Sequence, residues 1–252
     1  MERRLTQPAS HVGELSVVMP AYNEEGNLSR AVGDVEKCIF AVVPDAELLI
    51  VNDGSRDRTG EIAEVMATKD PRIRVLHQTN AGHGVALRRG LDAAAGRYLL
   101  LLDSDGEIGL SGFAGAWAEA QRGAAVLGFR TDRADGKLRR GVTLGLRLVI
   151  RCLFGVRIRD ANCPFKILGR EQWYAARGWI PEGTLAPSVL LAVYLAKGGS
   201  GSFREHPVPH AQRQAGRSMF HLRRLIAFSL TTLFQLARFR TRSRRWAVQR
   251  TS

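Results

Sequence analysis

Three apolar runs in this chain each end in acidic or amide side chains. Tyr98-Leu99-Leu100-Leu101-Leu102 runs into Asp103-Ser104-Asp105. Leu15-Ser16-Val17-Val18-Met19 runs into Pro20-Ala21-Tyr22-Asn23-Glu24-Glu25, and Glu47-Leu48-Leu49-Ile50-Val51 into Asn52-Asp53-Gly54-Ser55. Aspartate is a poor strand residue and costs free energy when buried unpaired. Two carboxylates emerging together at a strand end therefore need a cation or a network of donors. A divalent ion holding a diphosphate meets that need, because Mg²⁺ binds through one or two carboxylates plus phosphate oxygens. Taken alone, D-x-D also suits a plain strand-to-loop turn, where aspartate and serine are common.

Continuous apolar runs of this length read as strands buried on both faces. Helices are expected between them: 57–69, with Ile62, Val65 and Met66 at helical spacing; 84–95, stopped near Gly96; and 111–121. Further strands are expected at 72–76 and 124–129. The alternation predicts right-handed βαβ units and a mostly parallel sheet. In such sheets ligands bind outside the carboxyl ends of the strands, so the three acidic ends would face one cleft. The second half reads as apolar helices at 142–154, 187–197 and 222–239. Gly82-His83-Gly84 contains G-x-G, but Leu87 stands where a dinucleotide fingerprint needs its third glycine, which speaks against NAD.

The segments PAYNEEGNL, IVNDGSRDRTGEIA, NAGHGVALRRGLDAAAGRYLLLLDSDGE and HAQRQAGRS resemble the inverting glycosyltransferases of family two. Within that family the chain is most similar to the dolichol-phosphate mannose synthase and polyprenyl-phosphate sugar transferase branch. The resemblance is dense from Leu15 to Glu107 and recurs near Arg213. It implies an α/β fold of the GT-A type and transfer of a sugar from a UDP- or GDP-sugar to a polyprenyl phosphate, with Mg²⁺ or Mn²⁺ as cofactor. Asp103, Asp105 and Glu107 would hold the metal, and Asp105, Arg213 and Asp160 would serve the chemistry. Pro20, Tyr22, Glu24, Asp53, Asp103, Arg213 and Ser218 would hold the donor, with Tyr22 stacking on the base and Asp53 pairing with its edge. Arg130 and Arg140 would meet the acceptor phosphate, since a guanidinium binds phosphate oxygens in a two-pronged manner. Ser104 replaces the family's common alanine, Glu107 a glutamine, and His83 a lysine. Asn162-Cys163-Pro164-Phe165 departs from the usual Ser/Cys-Gly-Phe.

An alcohol acceptor must lose a proton and needs a general base, for which Asp160 is the candidate. A lipid phosphate is already anionic and needs cationic positioning instead. Of the formal net charge of +13, ten arginines follow Glu205 with no acidic residue among them. That basic tail points to an anionic partner. The uncharged stretch 225–237 is about 20 Å long as a helix, too short for roughly 30 Å of hydrocarbon. Ile226, Leu230, Leu233, Phe234 and Ala237 share one face, as in a helix lying in an anionic membrane interface. Three cysteines without framework spacing and an N-terminus without an apolar signal core suggest the cytoplasmic side of a membrane, peripherally. The expected layout is a flexible 1–12, a catalytic domain over 13–218, a membrane-facing helix over 219–240 and a basic tail over 241–252. Two alternatives stand beside this reading: a family member with a soluble or saccharide acceptor, and a basic nucleic-acid-binding protein. The favoured reading has no nucleic-acid partner.

Overall fold

The computed structural model describes residues 13–131, 137–198, 201–210 and 231–241. In chain order it contains β1 (Leu15–Ala21), α1 (Leu28–Val35), β2 (Glu47–Asp53), α2 (Thr59–Lys69), β3 (Ile73–Gln78), α3 (His83–Ala93) and β4 (Tyr98–Leu101). There follow α4 (Phe113–Gln121), β5 (Ala125–Thr131), α5 (Lys137–Phe154), β6 (Lys166–Gly169), α6 (Arg170–Arg177), α7 (Pro187–Ala196) and β7 (Phe203–Pro209). Residues 231–241 form an eighth helix, α8. The α1 helix runs on through a π-helical turn over Glu36–Phe40.

The strands form one sheet in the order β3-β2-β1-β4-β6-β5-β7, parallel except for β6. The expected mostly parallel sheet is present. Side-chain alternation splits its core in two. Leu15, Val17, Met19, Leu100 and Leu102 face α1, α2 and α4, where Leu28, Val32, Phe113 and Trp117 close one layer. Val18, Leu99, Leu101 and Leu168 face the other way, onto Leu87, Leu91, Ile150, Trp173, Leu190, Leu236 and Phe239. Both faces are covered, which is why these strands read as unbroken apolar runs. The α7 helix is buried on nearly every side, in keeping with PSVLLAVYLA carrying no charge.

From β1 the chain winds outward through β2 and β3, then returns to place β4 on the other side of β1. Strand order therefore reverses between β1 and β4, the place where a doubly wound sheet opens its ligand crevice at the carboxyl ends. Most boundaries shift by one or two residues, and two shifts stand out. The α2 helix begins at Thr59 rather than Asp57, because Asp57 Oδ1 accepts from the Thr59 amide at 3.0 Å and its hydroxyl at 2.5 Å. The α5 helix begins at Lys137, a turn before the apolar run. The β6 and β7 strands and the α6 helix lie outside the expected elements. Of the expected helix over 222–239, only 231–239 falls within the described residues, and there the chain is helical, on to 241. Among the described residues no helix is long and apolar enough to cross a membrane.

Candidate functional site

Asp53 ends β2 and is 2% exposed. Its Oδ1 accepts from the Ala81 amide at 2.8 Å and from Gln78 Nε2 at 2.7 Å, and its Oδ2 from the Gly82 amide at 2.9 Å. This carboxylate thus holds the loop that opens α3. Gly82 sits at φ 92°, a conformation glycine adopts readily, and delivers His83 into the crevice. A Cβ on Gly84 would overlap the Thr184 carbonyl oxygen, so this glycine admits the loop before α7 rather than the sheet.

His83 Nε2 lies 3.1 Å from Asp103 Oδ1. Burial opposes charge on the ring, but the hydrogen bond to Asp103 and the charges of Asp103, Asp105 and Asp53 outweigh it and hold the imidazole above its ordinary pKa. The ring's side chain is 51% exposed, so it is open to a ligand while lying among these carboxylates. Three acidic residues from two strand ends therefore act on one imidazole. For Asp103, burial pushes its pKa up, yet His83, Lys166 and Arg130 together hold it below the usual carboxylate range.

The turn after β4 is fixed from several sides. Ser104 Oγ donates to the Pro20 carbonyl at 2.9 Å and so ties the ends of β4 and β1 together. The Glu107 amide donates to Asp105 Oδ1 at 3.0 Å, and Arg30 Nη2 to the Asp105 carbonyl at 3.1 Å. Gly106 turns the chain at φ 66°. The Gly109 amide donates to the Pro209 carbonyl at 2.8 Å, and Ile108 bridges to His210, so the end of β7 reaches the same turn. His210 Nε2 stands 3.3 Å from Glu107 Oε2, without hydrogen-bond geometry. Its ring is 6% exposed, and neither nitrogen has a hydrogen-bond partner among the described residues.

Tyr22 and Glu24 lie on the loop after β1, half-buried. That loop interlocks with the one after β2. The Asn23 amide donates to Ser55 Oγ, the Arg56 amide to Asn23 Oδ1, the Glu24 amide to Thr59 Oγ1 and the Arg58 amide to Glu25 Oε2. Asn23 adopts φ 55° and clasps this neighbouring loop. Arg130 ends β5 and grips Asp160 on the segment before β6, with Nε–Oδ2 2.8 Å and Nη2–Oδ1 3.2 Å. Lys166 of β6 lies beneath them, 1% exposed. Burial drives its pKa down to about 8, although Cys163, Asp160 and Asp103 work the other way. Burial also lifts the Cys163 thiol to about 11, so that sulfur is no nucleophile.

The structure thus brings Asp53, Asp103, Asp105, Glu107, Arg130 and Asp160 to one side of the sheet, with Pro20 tied in through Ser104. Arg140 lies in the first turn of α5, its side chain outside what is described, and Arg213 and Ser218 lie outside the described residues. Sequence reading missed Arg30, Lys166 and His210. A lone lysine inside the apolar stretch FKIL was a signal for Lys166; a partner for His210 is visible only once β7 is placed beside the Asp103–Gly109 turn. Among the described residues no three His, Cys, Asp or Glu groups form a ready-made metal cage. The orphaned His210 nitrogens beside Glu107, with the Asp103 and Asp105 carboxylates at the same turn, fit a divalent ion whose remaining ligands come from a diphosphate.

The chain has an α/β fold of the GT-A type, a mostly parallel seven-stranded sheet flanked by helices. The chain belongs to glycosyltransferase family 2, whose family description, Glycosyl transferase family 2, matches residues 16–170. It is 29% identical over 215 residues to an undecaprenyl-phosphate 4-deoxy-4-formamido-L-arabinose transferase of Pseudomonas fluorescens (84% of this chain, 62% of the relative). It is 34% identical over 173 residues to a dolichyl-phosphate beta-glucosyltransferase of Trichomonas vaginalis (62% and 53%). The chain spans less than two thirds of the length of these curated relatives. In fold it is similar to glucosyl-3-phosphoglycerate synthase from Mycobacterium tuberculosis, solved with UDP, at TM-score 0.64 and 20% identity (94% and 87% covered). The same synthase solved with Mn²⁺, UDP and phosphoglyceric acid gives TM-score 0.63 (91% and 84% covered).

Proposed function

We propose that this chain transfers a sugar from a nucleotide diphosphate sugar to a polyprenyl phosphate at a membrane surface, with inversion at the anomeric carbon. The observation that carries this is the meeting of Asp53, Asp103 and Asp105 around His83 at the β1/β4 crevice. The relatives whose names carry undecaprenyl and dolichyl phosphate support the acceptor, and the UDP of the fold neighbours favours a UDP-sugar over a GDP-sugar. Asp103 and Asp105, with Glu107 and His210, would hold Mg²⁺ or Mn²⁺. When bound, that ion neutralises charge developing on the leaving diphosphate.

The chain's own residues do the rest. Tyr22 and Glu24 receive the nucleoside, with Asp53 holding the 80–82 loop beside it. Arg213 and Ser218 close over the diphosphate, and Arg130 and Arg140 draw in the acceptor phosphate. The acceptor oxygen attacks the anomeric carbon from the face opposite the leaving phosphate in one displacement. A lipid phosphate arrives deprotonated, so Asp160 need not take a proton. Its two-pronged grip on Arg130 suits a residue that aims a guanidinium. The exposed apolar and basic side chains of α5 and α8 are the surface offered to the cytoplasmic leaflet.

Incubation with UDP- and GDP-sugars, Mn²⁺ and undecaprenyl or dolichyl phosphate tests the proposal. Product lipid-linked sugar is expected with one donor; binding of donor without transfer to any lipid phosphate refutes the acceptor. A soluble acceptor is the second reading, favoured only if turnover on a water-soluble saccharide exceeds that on every polyprenyl phosphate tried.

A further inference from the structure

Asn52 and His77 are direct neighbours across the ends of β2 and β3. Asn52 is 7% exposed, and the orientation of its carboxamide is fixed from one side. The Ser55 amide can only donate, so the atom it meets at 3.1 Å is Asn52 Oδ1. Asn52 Nδ2 therefore points at His77 Nδ1, 3.0 Å away. A donor facing that nitrogen requires it to be unprotonated, which puts the ring proton on Nε2. Nε2 lies 2.7 Å from Glu64 Oε1 of α2, an acceptor for that proton. Each group in the row thus fixes the next: Glu64 the tautomer, the tautomer Asn52, and Asn52 the Ser55 amide. A Cβ on Gly60 would stand 2.7 Å from Asn52 Nδ2, so the first turn of α2 carries the one residue that leaves this amide its room. The row does not end at Ser55. Its hydroxyl oxygen accepts from the Asn23 amide at 3.1 Å, and Asn23 sits between Tyr22 and Glu24. Arg89 of α3 also holds this strand end, but through the His77 carbonyl at 3.0 Å, a contact that any residue at 77 would keep.

We propose that His77 is a positioning residue for the donor nucleoside: its Nε2–H tautomer, set by Glu64, holds Asn52 and Ser55 so that the loop bearing Tyr22 and Glu24 keeps its shape for the base. This rests on the reading of that loop as the nucleoside-receiving segment. His77 touches no ligand in this account and acts through Asn52. The side chains of His77 and Glu64 are 48% and 56% exposed, so their pairing contributes little to stability. Its role is orientation. A water in place of the ring would both donate and accept and would leave the Asn52 carboxamide free to turn, whereas Nδ1 only accepts. The base is held alike in the ground state and the transition state, so what His77 supplies is uniform binding, visible in KM and not in kcat.

The test compares wild type, His77→Leu and His77→Asn in the full chain at neutral pH, with circular dichroism confirming the fold. Calorimetry gives the Kd for UDP and for GDP with Mn²⁺ present, and the transfer assay gives kcat and the donor KM. His77→Leu is expected to raise Kd and KM roughly fivefold, the scale of one neutral hydrogen bond, with kcat within about twofold of wild type. His77→Asn sets Oδ1 where Nδ1 was and is expected to bring both constants back to within about twofold of wild type. A histidine that serves stability alone would give neither that split nor that rescue. Unchanged nucleotide binding in folded His77→Leu, or no recovery in His77→Asn, overturns the proposal. So does a two-bond ¹H–¹⁵N spectrum of the wild type in which the imidazole signals missing from His77→Asn report a protonated Nδ1. If neither variant folds, His77 is structural and the proposal falls. Wild type that binds neither UDP nor GDP defeats instead the reading of the loop as the nucleoside site, and the proposal with it.

Discussion

Arg130 and Asp160, 30 residues apart in sequence, form a two-pronged ion pair at 2.8 and 3.2 Å across the end of β5 and the segment before β6. Their side chains are 16% and 3% exposed, so the pair is largely withdrawn from water. Breaking a buried pair from one side leaves an uncompensated charge and costs about 3–5 kcal/mol. Arg130→Met alone is therefore expected to lose stability of that order in urea unfolding. Asp160→Asn added to it should restore much of the loss, because both charges are then gone. Transfer activity should stay low in the double variant, since the guanidinium proposed to meet the acceptor phosphate is missing. Full recovery of turnover along with stability would remove Arg130 from the acceptor site.

Asp105 offers a cleaner separation of chemistry from folding. Its carboxylate accepts the Glu107 amide at 3.0 Å, while Arg30 holds the same turn through the Asp105 carbonyl, which any residue supplies. Asp105→Ala should lose about 1 kcal/mol of stability for the hydrogen bond from the Glu107 amide. It should lower transfer by at least ~100-fold, the scale seen when one preorganised stabiliser of transition-state charge is removed. Near-normal turnover in a folded Asp105→Ala protein would end the metal assignment.

Burial sets the Lys166 ammonium at about 8, against an ordinary 10.5. Between those values the unfolded chain binds more protons than the folded one, so unfolding free energy rises with pH across about 8 to 10.5. Below pH 8 the fold carries the full cost of the buried charge. The metal-free wild type should therefore gain on the order of 2–3 kcal/mol relative to Lys166→Met between pH 7.5 and 10. Urea titrations of the two proteins across that range supply the difference. Parallel curves would mean that the ammonium stays charged in the folded protein.

The strand ends were legible in the sequence because parallel strands buried on both faces announce themselves as apolar runs, and Asp53 and Asp103 interrupt two of them. Their convergence followed from the rule for switch points, and the order β2-β1-β4 supplies it. The short β6 was not legible: Lys166-Ile167-Leu168-Gly169 is four residues long, and its antiparallel pairing with Leu101 depends on contacts 65 residues away in sequence. The same holds for His210, whose place beside Glu107 is set by the pairing of β5 with β7. Asp53 had a local signature but an unexpected partner. Two backbone amides of the Ala81–Gly82 loop occupy it, and amide donors leave no trace in side-chain patterns.

The α5 and α8 helices lie against each other, with the Phe154 and Phe239 rings 5.9 Å apart and Ile150 and Leu236 in the same core. What they turn outward is unusual for a solvated surface. Leu144 and Leu148, one turn apart on α5, are 57% and 54% exposed, and Phe234 of α8 is 67% exposed. Arg147, Arg151 and Arg238 are exposed alongside. From residue 137 to 159 the chain carries seven basic residues and no acidic one. Apolar side chains interleaved with arginines suit a helix resting in an anionic headgroup layer. Burying a leucine or phenylalanine side chain contributes up to about 1.5–3 kcal/mol, and a charge there opposes it. Leu148→Asp combined with Phe234→Asp should therefore weaken sedimentation with vesicles containing phosphatidylglycerol by at least ~10-fold. Turnover on a short, water-soluble polyprenyl phosphate should stay near wild type, because neither residue belongs to the crevice. Undiminished vesicle binding would place the membrane contact elsewhere on the chain, and lost turnover on the soluble acceptor would tie these helices to the chemistry instead of to docking.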